Sequence, residues 1–307
     1  TKKEAIRLLE DSLHHENFFV RSAAVKSIGE MGDPAYISLI LPGFKDSASF
    51  VRLFSVESVA ALHGPDTVKL LLAASVDPDP MVRVAVVKAF NDLSDVEGKV
   101  DTFPIESLVA PLLNDPEPTV QLFAFASLAR RGDKKAFEEI EKGIAVEETI
   151  QSAVVALGRT KQKEAIPVLD KALDHSDELV RILSAEAVGA VGAKEGLAVL
   201  TRKVTDPSAG VRGAVAISLG KIGDSEAIPT LNRLLKDREL SVQLSAAEGL
   251  TRLGKPQLAI YEKGLGHTDY GVRHFSVSSL HKAGGPEAML LLIRALSDQA
   301  PRVRIAA

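Results

Sequence analysis

Apolar residues recur along most of the chain with the period of an α-helix. In the stretch VRGAVAISLGKIG, which starts at Val211, the apolar positions are Val211, Val215, Ala216 and Leu219. Offsets of 0, 4, 5 and 8 place these side chains on one broad face of a helix. A shorter helical stretch, such as residues 225–237, precedes each stretch of this kind. Strand-like alternation persists nowhere, so the pattern predicts an all-α protein built from helix pairs.

A Val-Arg dipeptide, or a variant of it, opens the second helix of each pair and sets the register of a repeat. We call its first residue the anchor and count offsets from it. The anchors are Val20, Val51, Val82, Val120, Thr149 in one degenerate unit, Val180, Val211, Val242, Val272 and Val303. Most spacings are 30 or 31 residues, and the step from Val82 to Val120 is longer by about seven. We interpret residues 93–103, which hold the extra length, as an irregular surface insertion.

Glycine marks the predicted ends of the second helices, and aspartate marks the starts of the helices that follow. A glycine in the left-handed region commonly ends a helix, and an aspartate side chain accepts the first free N–H groups of the next one. The glycines are Gly32, Gly132, Gly192, Gly223, Gly254 and Gly284. The aspartates are Asp33, Asp133 and Asp224.

A helix pair of this size cannot bury its apolar face alone, so neighbouring pairs must stack on one another. About ten layers fill residues 1–307 as a single continuous array, the last repeat of which is truncated. The sequence therefore predicts an α-solenoid. The chain begins without Met and ends inside a predicted helix, so we expect a fragment or a processed form.

The repeating unit resembles a HEAT repeat. Residues 163–192 and 225–254 show the pattern D-x-x-x-x-V-R-x-x-A-x-x-x-L-G-x-x-G-D-x-x-A-I-P-x-L most clearly. The units are most similar to the short bacterial type named after phycobilisome lyases. The resemblance covers essentially the whole chain and implies a right-handed superhelix. It also implies one of several functions, because the family includes scaffolds, chaperone-like lyase subunits and a few enzymes.

Composition and charge narrow the function classes. A net charge of −4 argues against a general affinity for nucleic acid, which needs many phosphate-neutralising Lys and Arg. The chain has no Cys and no Trp, which excludes thiolate chemistry and argues against stacking platforms for bases or sugars. No apolar run approaches the ~18 residues that a membrane span needs. We expect a cytoplasmic protein.

No constellation of residues matches a catalytic or metal site. HEAT-like deoxyhypusine hydroxylases bind two irons with several His-Glu dyads, and this chain has one, His15-Glu16. HEAT-like DNA glycosylases use a basic groove with central aromatic residues, which the charge and the missing Trp disfavour. Serine never stands in a G-x-S-x-G context. We therefore predict a protein that is not an enzyme and that holds no cofactor and no metal.

An acidic residue stands six positions before the repeated Arg in many layers. Because the arrangement recurs so often, we interpret it as structural: the Asp caps the second helix, and the Arg pairs with it or with the next layer. The pairs are Asp46/Arg52, Asp77/Arg83, Asp206/Arg212 and Asp298/Arg304. Histidine replaces the acid at His15, His175 and His267, which lie in layers too distant for one metal site.

The side of the second helices opposite the core is expected to line a concave face that binds a partner. Apolar residues at offsets 2 and 6 form a stripe there that is longer than a solvated face requires. The partner-binding candidates are Leu53, Val84, Leu122, Val155, Ile182, Ile217 and Leu244.

Basic residues occupy offset 10 in most of the later layers and predict a basic rim. Such residues offset the helix dipole, but the first three layers lack them, which a dipole effect alone does not explain. The rim candidates are Arg130, Arg159, Lys221, Arg252 and Lys282. A row of this kind suits an extended acidic segment of a partner protein.

Two function classes follow from these observations. The first is a non-catalytic scaffold or adaptor that binds another protein on the concave face. The second, implied by the family resemblance, is a lyase or chaperone-like subunit that acts on a bilin-bearing or cofactor-bearing client protein.

Overall fold

The computed structural model describes residues 2–96 and 104–307, and within these ranges it contains helices and no strand. The prediction of an all-α protein is confirmed. The chain divides into two compact units, unit 1 from Thr1 to Gly143 and unit 2 from Ile144 to Ala307. Each unit is a stack of helix pairs, as an α-solenoid requires.

The described residues of unit 1 form four helix pairs and one further helix. Short 3₁₀ turns at Pro34–Tyr36, Leu41–Lys45 and Ala110–Asn114 extend the first helices of the second and fourth pairs. The helices are α1 (Lys2–Leu13), α2 (Phe18–Glu30), α3 (Ile37–Ile40), α4 (Ser49–Leu62), α5 (Thr67–Ala74), α6 (Pro80–Val96), α7 (Ile105–Val109), α8 (Pro118–Ala129) and α9 (Lys134–Ile144).

Unit 2 holds one helix followed by five pairs. A 3₁₀ turn at Ser225–Ala227 leads into one first helix. The helices are α10 (Ile150–Thr160), α11 (Ala165–Ala172), α12 (Glu178–Val191), α13 (Gly196–Arg202), α14 (Ala209–Ile222), α15 (Ile228–Leu234), α16 (Leu240–Arg252), α17 (Leu258–Leu265), α18 (Tyr270–Ala283), α19 (Gly285–Ala295) and α20 (Pro301–Ala306).

The helix ends follow the sequence signals. All six glycines predicted to end second helices have φ between 64° and 90°, in the left-handed region that a side chain disfavours. The carboxylates of Asp33, Asp133 and Asp224 each accept a backbone N–H at the start of the next element, at 2.8 to 3.1 Å. Local sequence therefore sets these helix boundaries.

The segment predicted as an insertion, residues 93–103, is helical where it is described. Helix α6 continues through Leu93 and Ser94, which are buried, to Val96. The start of this segment is thus a correction to the sequence interpretation, because apolar periodicity carries the helix one turn further. Residues 97–103 lie outside the described residues.

Small residues let the second helices of neighbouring layers approach closely. A Cβ on Gly220 of α14 would lie 2.4 Å from the Cα of Gly249 on α16. In the same way, a Cβ on Gly189 of α12 would lie 2.6 Å from the Cβ of Ser218. Offset 9 of one layer thus packs on offset 7 of the next, and this contact stacks the layers.

Candidate partner-binding surface

In six layers the repeated Arg pairs with an Asp of the following layer. In unit 2, Arg212 donates from Nε and Nη2 to the two carboxylate oxygens of Asp237, at 2.7 and 2.9 Å. Its Nη1 donates to the carbonyl oxygens of Asp206 and Pro207 in its own layer. The same geometry joins Arg21 to Asp46, Arg52 to Asp77, Arg83 to Asp115, Arg181 to Asp206 and Arg273 to Asp298. The structure thus decides between the two pairings that the sequence left open.

Several of the paired aspartates have a pKa that is lowered by their arginine partner. The hydrogen bond from Arg212 is the largest effect on Asp237 and lowers its pKa, against an opposing effect of burial. Hydrogen bonds from Arg21 and Arg273 lower the pKa of Asp46 and Asp298 in the same way. Each carboxylate also accepts the backbone N–H two residues on, which caps the turn before the second helix. These groups connect the layers, so they are structural.

Histidine takes the place of aspartate at His175 and His267, where the preceding layer carries Ile150 and Gln243 at the Arg position, and at His15 in the first layer. The Nδ1 atoms of His15, His175 and His267 accept the backbone N–H two residues on, at 3.0 to 3.1 Å. Gln243, in the layer before His267, makes one of the contacts that the repeated Arg makes. Its Nε2 donates to the carbonyl oxygen of Asp237 in its own layer. These histidines cap turns. Within the described residues, no group of three or more His, Asp or Glu is placed to hold a metal ion.

Three of the residues expected on the partner-binding face are buried. Val84, Leu122 and Leu244 expose 2%, 6% and 2% of their surface. Leu244 belongs to a core cluster with Tyr261, Val277 and other residues of the last layers. A side chain so enclosed offers no surface to a partner, so the prediction is wrong for these three.

The reason is that offset 2 faces the next layer. At 100° per residue, offset 2 lies about 135° from the centre of the core face, and so on the flank of the helix. Ile182 shows the contact directly: its Cδ1 lies 3.0 Å from where a Cβ on Gly210 of the next second helix would be. Ile182 is half-buried, as are the remaining candidates Leu53, Val155 and Ile217.

An exposed apolar row lies instead one residue before the anchor, in three consecutive layers of unit 1. Phe19, Phe50 and Met81 expose 61%, 54% and 53% of their surface. Offset −1 lies about 195° from the centre of the core face, so it points away from the core more directly than offset 2 does. We call these three residues the apolar row.

Aromatic contacts join the first two layers of the apolar row into one patch. The ring of Phe18 lies 4.1 Å from that of Phe19 and 6.5 Å from that of Phe50, and Phe50 lies 6.2 Å from Phe54. Sequence reasoning that counted offsets forward from the anchor missed this surface. Its signal is nevertheless present, because a large apolar residue precedes Val-Arg in three successive units, as FVR, FVR and MVR.

The row has no equivalent in the second helices of unit 2. Position −1 there carries Leu179, which is 46% exposed, but small or polar residues in the following layers. Those residues are Gly210, Ser241, Gly271 and Arg302. The consecutive apolar residues at this position are therefore a property of unit 1.

Carboxylates neutralise much of the predicted basic rim. Arg130 pairs with Asp95 at 2.7 Å. Arg252 and Lys282 share the carboxylate of Glu248, at 3.0 and 2.7 Å. Burial acts to raise the pKa of Glu248, but hydrogen bonds from these two cations outweigh it, and the pKa is lowered. Lys221 is exposed and Arg159 is half-buried. The rim thus offers an acidic partner less charge than its sequence indicates.

The stacked helix pairs and their repeated interlayer contacts define an α-solenoid repeat protein. A model of HEAT repeats matches residues 146–210 and 202–262, and a model of the PBS lyase HEAT-like repeat matches residues 20–46. The chain therefore contains HEAT repeats. No curated protein matches the chain in sequence.

Several solved structures are similar to the chain at low sequence identity and with low TM-scores. An engineered protein is 18% identical over 98% of this chain and 97% of its own, with a TM-score of 0.34. Human deoxyhypusine hydroxylase in complex with glycerol is 16% identical over 82% of this chain and 96% of its own, with a TM-score of 0.38. The complex of CpcE and CpcF of phycocyanin lyase from Nostoc sp. PCC7120 is 20% identical over 65% of this chain and 91% of that chain, with a TM-score of 0.45.

Proposed function

We propose that this protein is a non-catalytic scaffold that binds another protein through the apolar row of unit 1. The observation that carries the proposal is the exposure of Phe19, Phe50 and Met81, each more than half accessible, in three consecutive layers. Large apolar side chains that are contiguous and exposed commonly mark interaction surfaces, and aromatic residues are frequent energetic anchors in them. Leu53, half-buried on α4, adds apolar area on the same helix.

The repeat architecture supports binding to a macromolecule. Stacked layers present the same helix position at regular intervals, which suits a partner that extends across several layers. A second contact surface around Val155, Ile182 and Ile217 in unit 2 stays a prediction, and so does an acidic segment on the basic rim. Among the helices of the described residues, none is long and apolar enough to cross a membrane.

The test is affinity capture from the native host with three forms of the full chain. The forms are the wild type, the double variant Phe19→Ser/Phe50→Ser and the control Leu179→Ser. Serine is well tolerated in the first turn of a helix, where all three residues lie, so we expect each variant to fold, as circular dichroism would show. A protein captured by the wild type and by Leu179→Ser, but not by the double variant, supports the proposal. Capture that is equal for all three forms refutes it.

The match of residues 20–46 to the PBS lyase HEAT-like repeat favours a second candidate. In this alternative the chain is a subunit of a lyase or chaperone that acts on a bilin-bearing client. Titration with a free bilin, followed by visible absorption, separates the two candidates. A saturable spectral change would support the alternative, and a spectrum equal to the sum of the components would favour the scaffold.

A further inference from the structure

We propose that the apolar row docks a positively charged amphipathic α-helix of the partner protein. This inference rests on the proposed function and specifies the chemistry of its partner. It draws on three features of unit 1: the charge around the row, the chemistry of the row's side chains and the repeat distance between layers.

Unit 1 is acidic and unit 2 is not. Residues 1–143 hold 16 Lys and Arg against 22 Asp and Glu, a net charge of −6. Residues 144–307 hold 21 against 19, a net charge of +2. The apolar row therefore lies in the half of the chain that attracts cations, so a basic partner gains from steering towards it.

The negative charge persists beside the row itself. Arg52 donates to both carboxylate oxygens of Asp77 and also lies in the field of Asp79, two residues before Met81. Arg83 is likewise bound to Asp115 and lies near Glu117. Besides the carboxylate that it binds, each guanidinium thus faces a second carboxylate of the following layer, Asp79 or Glu117, which adds negative charge at each of these layer junctions. Glu16, exposed three residues before Phe19, adds another.

Asp79 is held in its charged form at the centre of this edge. The Ser49 hydroxyl, one residue before Phe50, donates to the Asp79 carboxylate, and this hydrogen bond is the largest effect that lowers its pKa. The backbone N–H of Met81 donates to the same carboxylate at 2.8 Å. The charge therefore sits between the second and third residues of the row.

The side chains of the row suit a helix better than an extended segment. Phenylalanine and methionine offer no strong hydrogen-bonding group, and an extended peptide laid on them would leave its backbone N–H and C=O groups facing apolar side chains. A helix satisfies those groups internally and presents apolar anchors along one side. An apolar surface that offers no hydrogen-bonding groups is therefore complementary to a helix.

The spacing of the layers matches the repeat of such a helix. Packed helices lie roughly 8–10 Å apart, and seven residues of an α-helix rise about 10.5 Å. A helix laid across α2, α4 and α6 can place apolar residues at i, i+7 and i+14 over Phe19, Phe50 and Met81. Lys or Arg on its flanks then lies near Glu16, Asp79 and Glu117.

The test measures the binding of labelled helical peptides to the full chain by fluorescence anisotropy. The basic peptide has about 18 residues, with Leu at every seventh position, Ala on the same face and Lys on the other. An acidic peptide carries Glu in place of every Lys. A shuffled basic peptide has the same composition, with its leucines spread around the helix.

Four forms of the protein are compared with these peptides. They are the wild type, Phe19→Ser/Phe50→Ser, Leu179→Ser and the charge-neutral variant Glu16→Gln/Asp79→Asn/Glu117→Gln. The change Asp79→Asn removes the charge but keeps a side-chain oxygen that can accept the backbone N–H of Met81. The N-terminal cap of α6 is therefore preserved, while the negative charge beside the apolar row is reduced.

We expect the basic peptide to bind the wild type at least ~10-fold more tightly than the acidic and shuffled peptides at low salt. The double serine variant should weaken its binding by ~10-fold or more, while Leu179→Ser leaves it unchanged. The charge-neutral variant should weaken it by roughly 3–10-fold at low salt and much less at high salt. Equal binding of the basic and acidic peptides overturns the proposal, and so does equal binding of the shuffled peptide.

The two proposals can fail separately. If capture from the host depends on the apolar row but the basic, acidic and shuffled peptides bind equally well, the proposed scaffold function is supported and the proposed basic helix is refuted. If capture does not depend on the row, the proposed function falls, and the basic helix falls with it.

Discussion

Arginine and aspartate occur together across neighbouring layers of this chain, and His175 and His267 follow layers in which the arginine is missing. Arg273 is followed in the next layer by Asp298, whereas Gln243 is followed by His267. A carboxylate at this half-buried position is costly without a cation beside it. A neutral imidazole can accept the same backbone N–H without that cost. Whether aspartate or histidine stands at such a turn therefore depends on whether the preceding layer supplies an arginine.

Substitution of Arg212 by Gln should lower the free energy of unfolding by about 2–4 kcal/mol, because it leaves the half-buried carboxylate of Asp237 unpaired. The double variant Arg212→Gln/Asp237→His introduces the residues that Gln243 and His267 provide at the equivalent positions, and it should recover part of that loss. Urea unfolding of both variants measures the difference. A double variant less stable than the single one would show that the two positions do not act as a pair.

Acid should remove the difference between the wild type and Arg212→Gln. The pKa of Asp237 is lowered in the fold, chiefly by Arg212, so the pair stabilises the protein above the unfolded value of about 3.9. That contribution is lost as the pH falls through the folded pKa, because protonation ends the ion pair. Melting temperatures measured from pH 7 to about pH 2.5 should therefore converge below about pH 4. A gap that stays constant to the lowest pH would contradict this.

Pairs of second helices depend on small residues at their crossing points. The backbones of α14 and α16 approach so closely at Gly220 that a methyl group there would meet main-chain atoms of Gly249. Main-chain atoms cannot rotate away as a side chain can, so the helices themselves would have to separate. The short residues in the second helices thus set the distance between layers.

Gly220→Ala should destabilise the protein by about 2–3 kcal/mol despite the better helix propensity of alanine. The matched control is Gly213→Ala in the same helix, where the new methyl would meet the Ser245 hydroxyl at 3.2 Å. That hydroxyl can rotate away, so the control should stay within about 1 kcal/mol of the wild type. Thermal melting of both variants checks the contrast. Equal stability of the two would show that the helices tolerate separation.

Each unit carries its own core, and each layer shares that core with its neighbours. In unit 1 a cluster of buried residues, including Val25, Ile40 and Val59, joins the first helix pairs. In unit 2 a cluster that includes Tyr261, Leu280 and Val303 joins the last ones. An array held by contacts between neighbours loses stability locally when an end layer is removed.

Deletion of residues 285–307, which contain α19 and α20, should leave the other layers folded. Leu280 and Val277 would lose part of their cover, so the melting temperature should fall, but the helical signal per remaining residue should be kept. Circular dichroism of the shortened chain measures both. Loss of helicity throughout the chain would show that the layers do not fold independently of the last one.

The sequence by itself determined the helix pairs, their register and their resemblance to HEAT repeats. Apolar periodicity, glycine C-caps such as Gly223 and aspartate caps such as Asp224 are local properties, because each depends on residues within one or two turns. The one segment where local signals misled is the end of α6, at Leu93 and Ser94, where the helix continues into residues read as an insertion.

Only the tertiary structure decided which side of the second helices is open and which Asp each Arg binds. The burial of Leu122 and the exposure of Phe50 follow from how each layer is rotated against the next. That rotation angle cannot be predicted from the helix periodicity within one layer. Because of the same rotation, Arg52 binds the carboxylate of Asp77 in the next layer and not the carboxylate of its own layer. Core positions were predictable because they lie at the centre of the apolar face, while flank positions become core or surface according to the neighbouring layer.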